Sequence, residues 1–415
     1  MITRHPRVVL AVLLFINIIA YVDRSMLLAF SPQITRDIGL SNTQFGFLSG
    51  AVWVLSYSLM VLFLGSLADR FSRTRIIAGG MLIWSLCTAV SGLVHSFEQM
   101  VLARFLVAAG EAALVPAATA ILADVFDGKH RSTANGLFFM GIPLGIGVAY
   151  LLSGTVGAGV GWRTTFISLG AIGVVISIAI AFVKDEGGAT EHDHGENFLP
   201  QMRAILATLR SQPAIMLVIA GFVIVHIVLA QASFIQLWLV RERGADEAAI
   251  AQHIGVLQIV FGCLGAAGGG IAADRLARGQ RARLAAFPAL SLAVCLPLMI
   301  AGRFVEGDSP LLYVGLAASF FLPFSLYGSN LSLIQGGVPH RMRASIVGFT
   351  MMCLNVLAMA LGTFAIGFIS DRLAAAGHGA PLTAVLLGTD AVIAVAIVLY
   401  AIAARMLARQ TATSM

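Results

Sequence analysis

The chain has 415 residues, of which 59% are hydrophobic and only 11% charged, with 43 glycines. A soluble domain of this size carries about 25% charged residues, so the composition excludes an ordinary soluble protein and points to a polytopic membrane protein. The net charge of +6 does not argue for a nucleic-acid partner, because the basic residues sit in short loops and no basic tract is interleaved with aromatics.

The N-terminus, MITRHPRVVLAVLLFINIIAYVDR, has a basic start and an apolar stretch. No small-residue cleavage site closes it and the apolar pattern runs past Asp23, so it reads as a first membrane helix and not a signal peptide. Twelve spans meet the requirement of about 20 residues per crossing: 8–30, 44–68, 76–96, 98–124, 132–156, 163–184, 213–240, 249–273, 284–302, 310–335, 344–370 and 382–405. The fold class is therefore an all-α membrane protein. The long polar stretch in the middle divides it into a six-helix bundle over 1–184, a linker over 185–212 and a second six-helix bundle over 213–415.

Orientation is set by Lys and Arg. With the N-terminus inside, 18 basic residues fall on the inner side and 6 on the outer, Arg303 among the latter. Both termini are then cytoplasmic, and a bacterial inner membrane is the expected setting. Only Arg24 and Arg104 remain within spans. The two halves also echo each other. Gly65, Asp69 and Arg70 recur as Gly270, Asp274 and Arg275, each copy closing the second span of its half. Arg131 with Gly136 recurs as Arg343 with Gly348, each opening a fifth span. Two parallel halves related by an axis along the membrane normal are a transporter architecture.

The stretch ARFLVAAGEAALVP, 103–116, places Arg104 and Glu111 seven residues apart, on one helical face. An ionisable residue in the bilayer costs several kcal/mol unless it is paired or faces a polar cavity. Asp23 and Arg24 lie at comparable depth in the first span, so the four groups form an electrically neutral set. Burial disfavours a charged carboxylate and a nearby Arg favours it. Helix movement that alters this balance makes proton coupling possible; the competing reading is a permanent ion-pair staple between the first and fourth helices.

Other polar residues in spans are candidates for lining a cavity: Tyr57, Tyr150, His226, Gln231, Tyr327, Asn330 and Asn355. Each alone also fits an ordinary interhelical hydrogen bond. Asp390 has no obvious local partner, and Pro143 between Gly141 and Gly145 reads as a bend-and-packing element. The four cysteines stand alone in apolar runs, and EHDHGE in the linker reads as a solvated loop, so no metal site is expected. No GxxxxGK[ST] or HExxH motif occurs, which leaves ATP-driven transport and zinc-protease chemistry unsupported.

GSLADRFSRTR at 65–75 resembles the loop signature of the major facilitator superfamily between its second and third helices, with Ser72 in place of the second Gly. The resemblance implies that Gly65, Asp69, Arg70, Arg73 and Arg75, with Asp274 and Arg275 in the second half, form a cytoplasmic gate. The competing reading is that they are positive-inside anchors. YVDRSMLLAFSPQI with ARFLVAAGEAALVPA resembles the spinster-like transporters, and the anion–cation symporter branch has related patterns. That resemblance implies alternating access, a proton as coupling ion with no other cofactor, and an amphipathic lipid such as a lysolipid or sphingoid lipid as cargo. The related branch implies a small organic anion instead. Membrane lipids are the expected surroundings and a monomer the expected working form.

Overall fold

The computed structural model describes residues 5–70, 72–126, 128–182, 198–278, 280–306, 309–339 and 342–413; of 62, 63, 65–70, 128, 129, 132, 198–201, 344 and 411–413 it describes the backbone alone. Among the described residues every regular element is a helix. Twelve are long and apolar enough to cross a membrane: α1 Pro6–Ala29, α2 Asn42–Val61, α3 Arg73–Ser91, α4 Phe97–Val125, α5 Thr133–Gly154, α6 Val156–Ala181, α7 Pro213–Ala232, α8 Glu247–Ala277, α9 Arg281–Arg303, α10 Pro310–Gly336, α11 Ser345–Ala375 and α12 Pro381–Gln410. The protein is thus an integral, multi-pass membrane protein.

Each of the twelve expected spans has its helix, with two informative differences. The sixth begins at Val156, ahead of a kink at Gly161, whose φ of 79° suits a residue without a Cβ. The seventh is interrupted: the helix turns at His226 and again after Ala232, and resumes as Ile235–Arg243. The expected linker is also not wholly irregular. Its second part, Phe198–Ser211, is helical. Met202, Ile205 and Leu209 recur at helical spacing, and Ile205 and Leu209 are buried in an apolar core. Residues 183–197, with EHDHGE, lie outside the described residues.

The chain forms two compact units, Met1–Asp193 with Asp246–Ile259, and His194–Ala245 with Val260–Met415. The first has a core of Leu13 and Ile16 from α1, Met81 and Trp84 from α3, Val107 and Ala117 from α4, and Phe138 from α5. Apolar lipid offers no hydrophobic reward for helix association, so close packing of small residues carries it. Gly110 shows this. A Cβ there would lie 2.6 Å from the Gly80 carbonyl oxygen and 2.8 Å from the Trp84 nitrogen, so α3 and α4 touch backbone to backbone. The second unit is built around Ile215, Val218, Leu292, Leu296, Leu322 and Tyr400.

Candidate transport site

In the first unit, α1 presents Tyr21, Asp23 and Arg24, α2 presents Trp53 and Tyr57, α3 presents Trp84, and α4 presents Arg104 and Glu111. Local sequence sets their positions. Ser41 and Gln44 form a reciprocal capping box at the start of α2. A π-helical turn over Phe47–Val52 comes next, and Trp53 is the first α-helical residue after it. Such turns insert an extra residue and rotate the helix beyond them, often at functional sites. In α4 the first segment, Phe97–Glu111, ends at Glu111, and helix resumes at Leu114. Pro116 lacks the N–H that would bond the Ala112 carbonyl four residues back, which weakens the helix at this joint.

The four charged groups come together, but not as ion pairs. Among the described residues, none of the salt bridges within 4.0 Å involves Asp23, Arg24, Arg104 or Glu111. Arg104 is buried and spends its N–H groups on main-chain oxygens, donating to the Asp23 carbonyl at 3.3 and 3.4 Å and to the Arg24 carbonyl at 3.1 Å. Asp23 is 0% exposed, and neither carboxyl oxygen has a hydrogen-bond partner. The buried Trp84 indole faces this carboxyl without closing a hydrogen bond to it.

Glu111 is buried too. One of its oxygens, Oε2, accepts from the Trp53 indole N–H at 2.8 Å, while Oε1 has no partner. The same indole carries a cation on its face: the Arg24 guanidinium carbon stands 3.4 Å from a Trp53 ring centroid. Arg24 also meets Tyr21, 5.7 Å from that ring. Tyr57 stacks on Trp53 with centroids 4.5 Å apart and planes 19° from parallel. A guanidinium and a phenol ring this close to one indole must take opposite faces, because on one face they would overlap. Tyr57 thereby belongs to the cluster. Tyr150 is buried in α5, with no hydrogen bond or ion pair joining it to the four charges.

In the second unit several candidate residues bond to neighbours of the same unit, while Gln231 Oε1 and both side-chain polar atoms of buried Gln236 have no partner. His226 is buried; Nδ1 meets the Phe222 carbonyl and Nε2 the Tyr327 hydroxyl, both at 2.9 Å. Asn330 donates to the Leu326 carbonyl and accepts from the Tyr400 hydroxyl. Gln231 donates to Thr389 at 2.7 Å and to Asp390 Oδ1 at 2.6 Å. Asn355 sits half-buried in a second π-helical turn, Leu354–Ala360. Asp390 has a partner after all, the Arg303 side chain. Arg303 stands 5.0 Å over the Trp238 ring, whose N–H donates to Thr383. Among the described residues there is no cluster of three or more His, Cys, Asp or Glu able to hold a metal ion.

Residues 13–363 match the sequence profile of the Major Facilitator Superfamily. The chain belongs to the Major Facilitator Superfamily. It is a membrane transporter and not an enzyme. Several of its relatives are named spinster. It is 29% identical over 379 residues to an MFS-type efflux pump of Mycolicibacterium smegmatis, covering 89% of this chain and 86% of that one. It is 28% identical to protein spinster of Drosophila melanogaster, where the match covers 87% of this chain but spans only 61% of the fly protein's length. In fold it resembles the crystal structure of a bacterial homologue of the human lysosomal transporter spinster, in an inward-facing and unoccupied conformation. The TM-score is 0.81 at 21% identity, over 97% of this chain and 98% of that one.

In this superfamily member the helix begun at Trp53 runs through Gly65, Asp69 and Arg70, whose side chains lie outside the described residues. Arg73 is buried and pairs with Asp124 at the end of α4. Arg75, Asp274 and Arg275 are exposed. Two residues escape sequence reasoning. Trp53 looks like any aromatic in an apolar span; nothing local shows that it meets Glu111, 58 positions away. Arg303 reads as an outer loop charge because it ends its span. The structure corrects this, burying its side chain to 4% exposure, so the basic residues buried within the helical core are not Arg24 and Arg104 alone.

Proposed function

We propose that this transporter is proton-coupled, works by alternating access, and carries an amphipathic lipid such as a lysolipid or sphingoid lipid. The observation that carries the coupling is Asp23, a carboxyl fully buried on α1 with both oxygens lacking partners. A charge so placed costs several kcal/mol, and a proton removes it. Glu111 adds a second carboxyl in the same cluster, held by Trp53. In alternating access, each change of helix packing alters how far these carboxyls are desolvated, and proton uptake tracks the access state.

The lipid cargo is supported by the resemblance of 21–34 and 103–117 to spinster-like transporters and by relatives that carry that name. A second reading, carriage of a small organic anion, is favoured by Arg24. Its guanidinium is half-buried and rests on an indole with no carboxylate within 4.0 Å among the described residues. On either reading the working form is a monomer in a bacterial inner membrane, with cytoplasmic termini, the two bundles of 1–184 and 213–415, and no cofactor beyond the proton.

The test uses purified protein in liposomes holding a pH-sensitive dye. A fluorescent lysophospholipid and a sugar acid are offered separately. Substrate-dependent proton flux with the lysophospholipid, lost in Glu111→Gln and Asp23→Asn, is the expected result. Flux with the sugar acid alone selects the second reading. Transport of either cargo without protons overturns the coupling.

A further inference from the structure

Trp53 touches three functional groups at once, and each contact uses a different part of the ring. Its edge N–H donates to Glu111 Oε2 at 2.8 Å. One face carries Arg24 at 3.4 Å, and the other is closed by Tyr57. We propose that Trp53 is the positioning residue that ties the charge of Glu111 to the placement of Arg24. The inference rests on the proton-coupling reading.

A hydrogen bond to an ionised carboxylate is roughly twice as strong as one to a neutral acceptor. An anion at the indole edge also pushes electron density into the ring, and a cation over the face is held by that density. Ionised Glu111 therefore holds the indole, and through it Arg24. When a proton from bulk water bonds to Glu111, the charge at the ring edge disappears and the hold on Arg24 weakens. The converse is required by linkage: whatever draws Arg24 off the ring favours proton uptake by Glu111 by the same factor. Arg24 and Glu111 form no salt bridge within 4.0 Å; they also attract each other directly through space, and the ring's own share is the part that Trp53→Phe removes.

The other groups around the cluster set its background. Asp23 and Tyr21 belong to α1, Tyr57 to α2 and Arg104 to α4; each acts electrostatically on at least one of these groups. Arg104 is fixed to main-chain carbonyls, so it supplies a steady field. Asp23 and Glu111 also act on each other electrostatically, and that contribution is removed in the fluorescence test by Asp23→Asn.

Two variants split the two uses of the ring. Trp53→Phe keeps an aromatic face but has no N–H; Trp53→Leu has neither. In liposomes supplied with a fluorescent lysophospholipid, Trp53→Phe is expected to raise the pH midpoint of transport by about one unit, tenfold in proton affinity, with half-saturation within twofold of wild type. Trp53→Leu is expected to change midpoint and half-saturation together. An unmoved midpoint in a well-folded, transporting Trp53→Phe overturns the inference and leaves proton coupling standing.

A second measurement needs no cargo. With Trp84, Trp162 and Trp238 replaced by Phe in the full chain, Trp53 is the sole indole. Its fluorescence is expected to step with pH in an Asp23→Asn background, and the step is expected to vanish in Glu111→Gln. A flat titration, or a step that survives Glu111→Gln, overturns the proposal. Transport without proton movement, with the fluorescence step intact, overturns only the coupling reading.

Discussion

Arg303 Nε lies 3.3 Å from Asp390 Oδ2, with side-chain exposures of 4% and 0%, so the second unit holds a fully desolvated ion pair between α9 and α12. Removing one partner of such a pair strands a buried charge and costs about 3–5 kcal/mol. Arg303→Ala is expected to lower the melting temperature sharply in detergent. The double variant Arg303→Met with Asp390→Leu is expected to recover most of that loss. The half-exposed counterpart, Arg73 with Asp124, gives a contrast: Arg73 is 8% exposed but Asp124 is 55% exposed, so water reaches the pair and Asp124→Asn is expected to cost less than Arg303→Ala. Thermal unfolding of the four proteins decides the ranking.

Gly110 and Gly79 make a matched pair of glycine tests. A methyl at Gly110 meets the Gly80 carbonyl at 2.6 Å, and backbone has no room to yield; at Gly79 nothing lies within 4 Å. Gly110→Ala is expected to destabilise by about 1–3 kcal/mol through overpacking. Gly79→Ala is expected to be neutral or stabilising by up to about 1 kcal/mol, the helix-propensity gain. Equal melting temperatures for the two variants would contradict the backbone contact between α3 and α4.

Arg104 holds two successive carbonyls of α1, a task suited to a planar fork of donors. Arg104→Lys is expected to keep the charge, lose one of the bonds and cost about 1–3 kcal/mol. Arg104→Ala is expected to cost more and to abolish transport. If Arg104→Ala transports normally, the attachment of α4 to α1 lies elsewhere.

His226 is already committed at both ring nitrogens, to Phe222 and to Tyr327. It is expected to take no part in coupling. His226→Gln is expected to leave the pH profile of transport within about 0.3 unit of wild type, with a modest loss of stability. A midpoint that moves with this substitution assigns His226 a titrating role.

The helical architecture is legible in the sequence because hydropathy averages over about 20 residues, and no single boundary decides it. Asp23, Arg24, Arg104 and Glu111 are legible for a related reason: charges are conspicuous where nearly everything else is apolar. How they are satisfied is not legible. Spacing puts Arg104 and Glu111 on one face, and charge balance then suggests ion pairs. The structure sends Arg104 to main-chain oxygens, which no pattern of side-chain types records. Trp53 and Arg303 are hidden for opposite reasons. An aromatic within a span looks like packing, and a charge at a helix end looks like an anchor. Only tertiary proximity separates these from their ordinary counterparts.

The attachment of Arg104 to carbonyl oxygens has a mechanical consequence. A peptide carbonyl carries the same partial charge whether or not the neighbouring carboxyl holds a proton. On the proposed proton coupling, these hydrogen bonds keep their acceptors whether or not Asp23 holds a proton, and only the through-space attraction between Arg104 and the carboxylate changes. An Arg paired with the carboxylate itself would loosen at every protonation, and the two helices would work against each other once per cycle. Here anchoring and the proposed titration fall on different atoms of one residue, so the hydrogen bonds joining α1 and α4 need not break when the carboxyl takes a proton.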